Sequence, residues 1–169
     1  MSDPLRVLYI GGLGRSGSTL LDRMLGRVHG CRSVGELAFL WRRGLVENNR
    51  CGCGQRFRDC PFWTRVGQEA FGGWERLDAG EVLDLQANVD RTRFVPLMCA
   101  PALWPAYRRR LDRYLGLLAD LYRAIQRVSG ERVIVDATKH ASHTYLLRRL
   151  PGLDLRVVHL VRDSRGVAF

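Results

Sequence analysis

The stretch Val7-Leu8-Tyr9-Ile10-Gly11-Gly12-Leu13-Gly14-Arg15-Ser16-Gly17-Ser18-Thr19-Leu20-Leu21 decides the fold. It opens as an apolar run, turns through glycines, and passes by way of hydroxyls into apolar residues at helical spacing: strand, loop, helix. Glycines let main-chain N–H groups turn inward. A helix starting near Ser18 aims its free N–H groups and positive dipole end at the same point. Arg15 adds a forked cation, and Ser16, Ser18 and Thr19 add hydroxyls. Such a turn is suited to a cluster of anionic oxygens. The plainer alternative is an ordinary tight turn between strand and helix, which leaves the arginine and the three hydroxyls unexplained.

Working outward, Gly12 to Thr19 spell G-x-x-x-x-G-S-T, the phosphate-loop pattern with Ser18 where nucleotide triphosphatases carry lysine. The chain has 169 residues, enough for one domain with a buried core. Apolar residues at 46% and charged residues at 26% place it among folded chains. No apolar run reaches membrane-spanning length, and residues 1–10 lack the layout of a secretory signal, so a cytoplasmic location is expected. The net charge of +10 comes from 27 basic against 17 acidic residues, and Lys139 is the one lysine. That surplus is compatible with a polyanionic or phosphate-bearing partner. No basic stripe interleaved with aromatics appears, so nucleic acid is not expected. Five cysteines without an export signal argue against a disulfide framework.

Taken in order, 5–10 read as a strand buried on both faces. Leu20, Leu21, Met24, Leu25 and Val28 place a helix over 18–28, packed on the sheet and ended by Gly30. A short strand over 31–34 delivers Gly35 and Glu36 to its carboxyl end, where open α/β sheets bind ligands. A short helix is expected over 37–43. Cys51, Cys53 and Cys60 offer part of a zinc site whose fourth ligand would come from afar, or else a turn-rich cap held by Phe62 and Trp63; the cap is the expectation. Residues 61–130 read as a helical insertion in a single domain of 1–169. Its first part is broken by Pro96, Pro101 and Pro105. Its last is one long amphipathic helix over 107–128 with Leu111, Tyr114, Leu115, Leu118, Leu121, Tyr122, Ile125 and Val128 on one stripe. A strand over 133–135 then ends in Asp136-Ala-Thr-Lys139-His140. A helix over 141–150 and a strand over 155–161 follow, leading into Arg162-Asp163-Ser164-Arg165 and the start of a helix near Phe169. The expected fold class is α/β, a parallel sheet flanked by helices in three layers.

Arg15-Ser16-Gly17-Ser18-Thr19, Val34-Gly35-Glu36-Leu37 and the strand ending in Val161-Arg162-Asp163-Ser164-Arg165-Gly166 together resemble the sulfotransferases that use 3′-phosphoadenylyl sulfate (PAPS). The first segment is similar to that family's 5′-phosphosulfate loop. The last is similar to its 3′-phosphate motif, in which the first arginine grips the phosphate. Glu36 is placed as in the branch with tyrosylprotein, carbohydrate and bacterial members, where a glutamate is the base. The run ending in Cys60-Pro-Phe-Trp63 is also similar to bacterial members. The resemblance covers the chain from Leu5 onward as the front part of a longer domain, and the family's phosphate-binding serine would fall just past Phe169.

The resemblance implies a P-loop domain and a sulfuryl transfer from PAPS to an acceptor hydroxyl or amine, with no metal required. Gly14, Arg15, Ser16, Gly17, Ser18, Thr19 and Arg162 would hold the nucleotide. Glu36 would take the acceptor's proton, Arg15 would offset charge on the leaving phosphate, and Lys139 would reach a sulfuryl or bridging oxygen. For Glu36 the plainer role is a solvated carboxylate or a helix cap, and for Lys139 it is chance. His140 is the alternative base; His29, His143 and His159 read as surface or core. Two other functions fit the pattern: a kinase using ATP and magnesium held by Asp136, and a domain that binds a nucleotide without turning it over. The acceptor and the oligomeric state are not legible.

Overall fold

The computed structural model of the chain describes residues 4–163 and 165–166. The elements run β1 (Leu5–Gly12), α1 (Ser18–Leu25), β2 (Cys31–Gly35), a π-type helical segment (Leu40–Val46), α2 (Pro61–Phe71), α3 (Ala79–Val89), α4 (Val95–Cys99), α5 (Pro105–Ser129), β3 (Val133–Lys139), α6 (Ala141–Leu147) and β4 (Leu153–Leu160). They form two units, Met1–Leu37 with Glu131–Phe169, and Ala38–Gly130.

The first unit is an α/β sheet structure of four parallel strands in the order β2-β3-β1-β4. The crossover from β1 to β2 and that from β3 to β4 run in opposite directions across the sheet, so right-handed connections set α1 and α6 on opposite faces. The packing agrees. On one face Ile10, Val135 and Ala137 form a buried cluster with Leu8, Leu21, Leu25, Cys31 and Leu160. On the other, Tyr9 stacks on His143 of α6 with ring centroids 6.2 Å apart, and its hydroxyl donates to the His140 carbonyl at 2.8 Å. The result is the three-layer arrangement expected from the sequence.

Several boundaries differ from the expectation. The first helix ends at Leu25 and continues as turns in which Arg27 and Val28 donate to carbonyls three residues back. Its inward face carries Ser18, Leu21, Asp22 and Leu25, while Leu20, Met24 and Val28 are exposed. The apolar stripe thus misplaced the buried face by about one position. β3 extends through Lys139, because pairing with β1 carries Asp136, Ala137 and Thr138 into the buried sheet. α6 ends at Leu147, and β4 begins at Leu153 because Leu5 pairs with it. Ser164 and Phe169 lie outside the described residues.

The second unit is helical. α5 starts on Pro105, ends on Gly130 at φ 68°, and buries Leu111, Tyr114, Leu118, Leu121, Tyr122, Ala124 and Ile125 on one face. α2 and α3 pack against it. The Trp41 indole N–H donates to the Tyr114 hydroxyl at 3.1 Å in the buried interior. The expected short helix is instead a 3₁₀ turn (Leu37–Phe39) followed by the π-type segment. The cysteine-bearing loop is anchored by Phe57, between Trp63 and Trp74 at 5.5 and 5.2 Å, whereas Phe62 is half-buried and touches Trp63 edge-on. Among the described residues, no helix is long and apolar enough to cross a membrane.

Candidate functional site

Four strands deliver four groups to one edge of the sheet. The turn after β1 is built on Gly12, Arg15 and Gly17, all at positive φ (147°, 62° and 94°). Gly12 is obligatory there, since a Cβ would sit 2.5 Å from the Leu160 carbonyl oxygen of the neighbouring strand. Gly17 precedes α1, whose first N–H groups, at Ser18 and Thr19, have no intrahelical acceptor by construction. Among the described residues, an added Cβ at Gly14 or Gly17 would meet nothing within 4 Å. Ser16 is buried, and its hydroxyl has no hydrogen-bond partner among the described residues.

Arg162 follows β4, whose Leu160 pairs with Gly12. Its Nη1 donates to the Arg15 carbonyl at 3.0 Å, tying the end of β4 to the β1 turn. Asp163 caps the next segment, its carboxylate accepting from the Arg165 backbone N–H at 3.1 Å.

Glu36 follows β2, and Lys139 ends β3. Between the β1–β3 pairs Tyr9↔Asp136 and Gly11↔Lys139 the third strand carries one residue more than the first, a bulge that re-aims the strand end. Lys139 closes that bulge at φ 72°, a left-handed conformation rare for a side chain of its size. Its ammonium is ion-paired and hydrogen-bonded to the Glu36 carboxylate, with both side chains mostly buried. The two residues read separately in the sequence are therefore one pair, joined across the β2–β3 edge.

Beneath them lies Asp136, fully buried. Its Oδ1 accepts from the Thr138 backbone N–H at 2.9 Å, the Thr138 hydroxyl at 2.6 Å and the Leu37 N–H at 3.4 Å, and its Oδ2 stands 3.9 Å from His143 Nε2. Asp136 thus fixes the backbone on both sides of the Glu36–Lys139 pair. His143 is core; His29, His140 and His159 are exposed.

Sequence reading missed Asp22. It is 7% exposed on the inward face of α1, and its Oδ1 has no partner among the described residues. Burial pushes its carboxyl above the ordinary carboxylate range; a hydrogen bond with Ser33 opposes this, and the nearby charges of Asp136 and Glu36 add to it. The signal was present: Ser18, Asp22 and Leu25 share a helical face, so a carboxylate stood on the stripe facing the sheet. In chemical terms the edge offers two arginines beside an N–H-rich turn, and a carboxylate held by an ammonium. Set against protein-family models, curated proteins and solved structures, the chain matches none of them.

Proposed function

We propose that the chain is a sulfotransferase that moves a sulfuryl group from 3′-phosphoadenylyl sulfate to an acceptor hydroxyl or amine. The observation that carries this is the bond between Arg162 and the Arg15 turn, which puts the two candidate anion-binding arginines at adjacent strand ends, where a nucleotide charged at both its 5′ and 3′ positions could span them. The residues present fit such a ligand. Among the described residues the Ser16 hydroxyl is buried without a partner, and the space around Gly14 and Gly17 is open to a close backbone approach. Gly14, Arg15, Ser16, Gly17, Ser18 and Thr19 would hold the 5′-phosphosulfate, and Arg162 the 3′-phosphate.

The nucleotide supplies the sulfuryl group and a phosphate leaving group. The chain's own work is to position the reactants and offset developing charge. Arg15 and the loop N–H groups stabilise the departing phosphate. Glu36, held by Lys139, takes the proton from the acceptor's O–H or N–H as that atom bonds to sulfur. An ammonium has three N–H donors, so Lys139 can hold Glu36 and still offer a donor to a sulfuryl oxygen. The kinase alternative is weaker, because Asp136, which it needs for magnesium, is fully buried and already accepts three hydrogen bonds.

Thermal melting with candidate nucleotides tests the proposal. Without metal, 3′-phosphoadenosine 5′-phosphate at about 100 times its Kd should stabilise the chain by about 2.7 kcal/mol, which is about 5–10 °C in Tm for a chain of this size. Stabilisation by ATP with magnesium alone would support the kinase. A response to neither nucleotide would remove the sulfotransferase reading. Stabilisation without sulfuryl transfer to any of a panel of sugar, phenol, peptide and amine acceptors would favour the non-catalytic nucleotide-binding domain.

A further inference from the structure

The second unit contains a cluster that the sulfuryl-transfer proposal does not use. The Sγ atoms of Cys51, Cys53 and Cys60 all lie within 4.8 Å of one another, with Cys53–Cys60 at 3.6 Å and Cys51–Cys60 at 3.7 Å. We propose that these three cysteines bind one zinc ion as thiolates, with the fourth tetrahedral position open to solvent or to a small exogenous ligand.

The geometry discriminates among the ways in which three thiols can meet. A disulfide needs its sulfurs about 2.05 Å apart. Thiolates on a tetrahedral zinc at about 2.3 Å lie on an edge of about 3.8 Å, and the two shorter separations match that edge closely. The chain has five cysteines in 169 residues; three of them meet here, and Cys31 and Cys99 stand outside the cluster.

The local fold has the shape of a metal knuckle. Arg50 and Arg56 pair as an antiparallel bridge, Cys51 N–H donates to the Gln55 carbonyl at 2.7 Å, and Gly54 N–H donates to the Cys51 carbonyl at 2.9 Å. This tight turn, with Gly54 at φ 89°, throws Cys51 and Cys53 to the same side. The Gln55 backbone N–H is hydrogen-bonded to the Cys53 sulfur, a donation that a metal-bound thiolate also accepts. Cys60 arrives from the other direction, immediately before α2, and is buried at 2% exposure.

The energetics ask for such a clip. Over 46–59 the one buried side chain is Phe57, and the other residues are exposed or half-buried. Beyond the Phe57 anchor a polar loop of this length buries little apolar surface, and a metal that closes it onto α2 converts binding energy into further order. Three thiolates and one Zn²⁺ leave a net charge of −1, and Arg50, Arg56 and Arg58 flank the turn with compensating charge. Arg50 Nη1 donates to the Gly54 carbonyl at 2.7 Å, and Arg58 Nη2 to the Leu45 carbonyl at 2.9 Å. Among the described residues, no further histidine, cysteine, aspartate or glutamate joins the cluster, and Cys53 is exposed, which sets the open position on the solvent side. Binding displaces the thiol protons to solvent and changes no oxidation state.

The test uses the full chain purified under reducing conditions without chelator. Elemental analysis should find about one zinc per chain, and replacement by cobalt(II) should give thiolate-to-metal absorption with tetrahedral visible bands. Cys53→Ser, at an exposed position, should fold normally by circular dichroism and lose most of the metal. Cys60→Ser should lose it too, and Cys99→Ser should keep it. A thiol reagent should modify Cys99 at once and the cluster only after chelation. A chain isolated without zinc that fails to take up zinc or cobalt(II), zinc content that persists in Cys53→Ser, or cluster thiols that react as fast with zinc as without it would each overturn the proposal. None of these readouts depends on sulfuryl transfer.

Discussion

Arg162 donates through Nη1 to the carbonyl oxygen of Arg15 at 3.0 Å, a bond between residues 147 apart in sequence. It spends one of five guanidinium N–H donors and leaves the others in a fixed fork. The same contact that closes the β1 turn against the end of β4 therefore aims a cation outward beside it.

Arg162→Ala should weaken 3′-phosphoadenosine 5′-phosphate by about 10–100-fold, the range for a charge-assisted hydrogen bond at about 1.5–3 kcal/mol. Adenosine 5′-phosphate, which lacks the 3′ group, should lose much less. Calorimetric titration of both ligands separates the two effects. Equal losses would mean that Arg162 serves the Arg15 turn and not the 3′-phosphate.

Glu36→Gln keeps a side chain able to accept from the Lys139 ammonium but removes the proton acceptor. Nucleotide affinity should hold within about twofold while the rate of transfer falls by about 10²–10⁴-fold, the usual contribution of a general base. Single-turnover kinetics with labelled sulfate would read this. Unchanged turnover would take Glu36 out of the chemistry and return attention to the exposed His140.

Lys139 carries a backbone test that its charge does not confound. At φ 72° a Cβ costs about 1 kcal/mol or more that glycine avoids. Lys139→Gly and Lys139→Ala both delete the ion pair with Glu36, so the difference between them isolates the strain of the bulge. Lys139→Gly should be the more stable of the two by about 1 kcal/mol in urea unfolding. Equal stabilities would place no strain at the end of β3.

How much of this was visible in the sequence depends on how local each feature is. The order β1, turn, α1 was legible because an apolar run, glycines and helical periodicity lie within fifteen consecutive letters. The long α5 was legible for the same reason, as its stripe repeats over many turns. The bulge ending in Lys139 was not, because the extra residue exists only relative to β1, and the strand was therefore read as running over 133–135 and ending in Asp136 to Lys139. Nor was the Glu36–Lys139 pair, whose members are 103 residues apart and meet because β2 and β3 are neighbours. The buried face of α1 was misplaced because Leu20, Met24 and Val28 imitate an inward stripe, while the residues that do turn inward include the polar Ser18 and Asp22.

The two glycines of the turn should separate folding from binding. Gly12→Ala forces a Cβ to within 2.5 Å of the Leu160 carbonyl at φ 147°, and should cost about 3 kcal/mol in unfolding free energy. Gly14→Ala meets nothing within 4 Å among the described residues and has no positive φ to satisfy, so stability should stay within about 0.5 kcal/mol. If the turn wraps an anion closely, Gly14→Ala should still weaken 3′-phosphoadenosine 5′-phosphate. A Gly14→Ala variant that is stable and binds normally would show that the backbone here does not approach the ligand.

Asp22 makes the site's stability depend on pH in a stated direction. Its carboxyl is raised in the folded chain above the ordinary 3.8, chiefly by burial, so the native state holds its proton in a range where the unfolded chain has released it. Stability from this group is therefore greatest below the unfolded value, and falls as pH rises from about 3.8 through the folded value. Asp22→Asn removes that loss while keeping an acceptor for Ser33. The variant should gain stability relative to the parent at pH 7, and the gain should shrink steadily toward pH 4, as measured by urea unfolding across that range. Should the gain be independent of pH, or turn into a loss at neutral pH, the ionised Asp22 would be stabilising the fold, with a partner that offsets its burial.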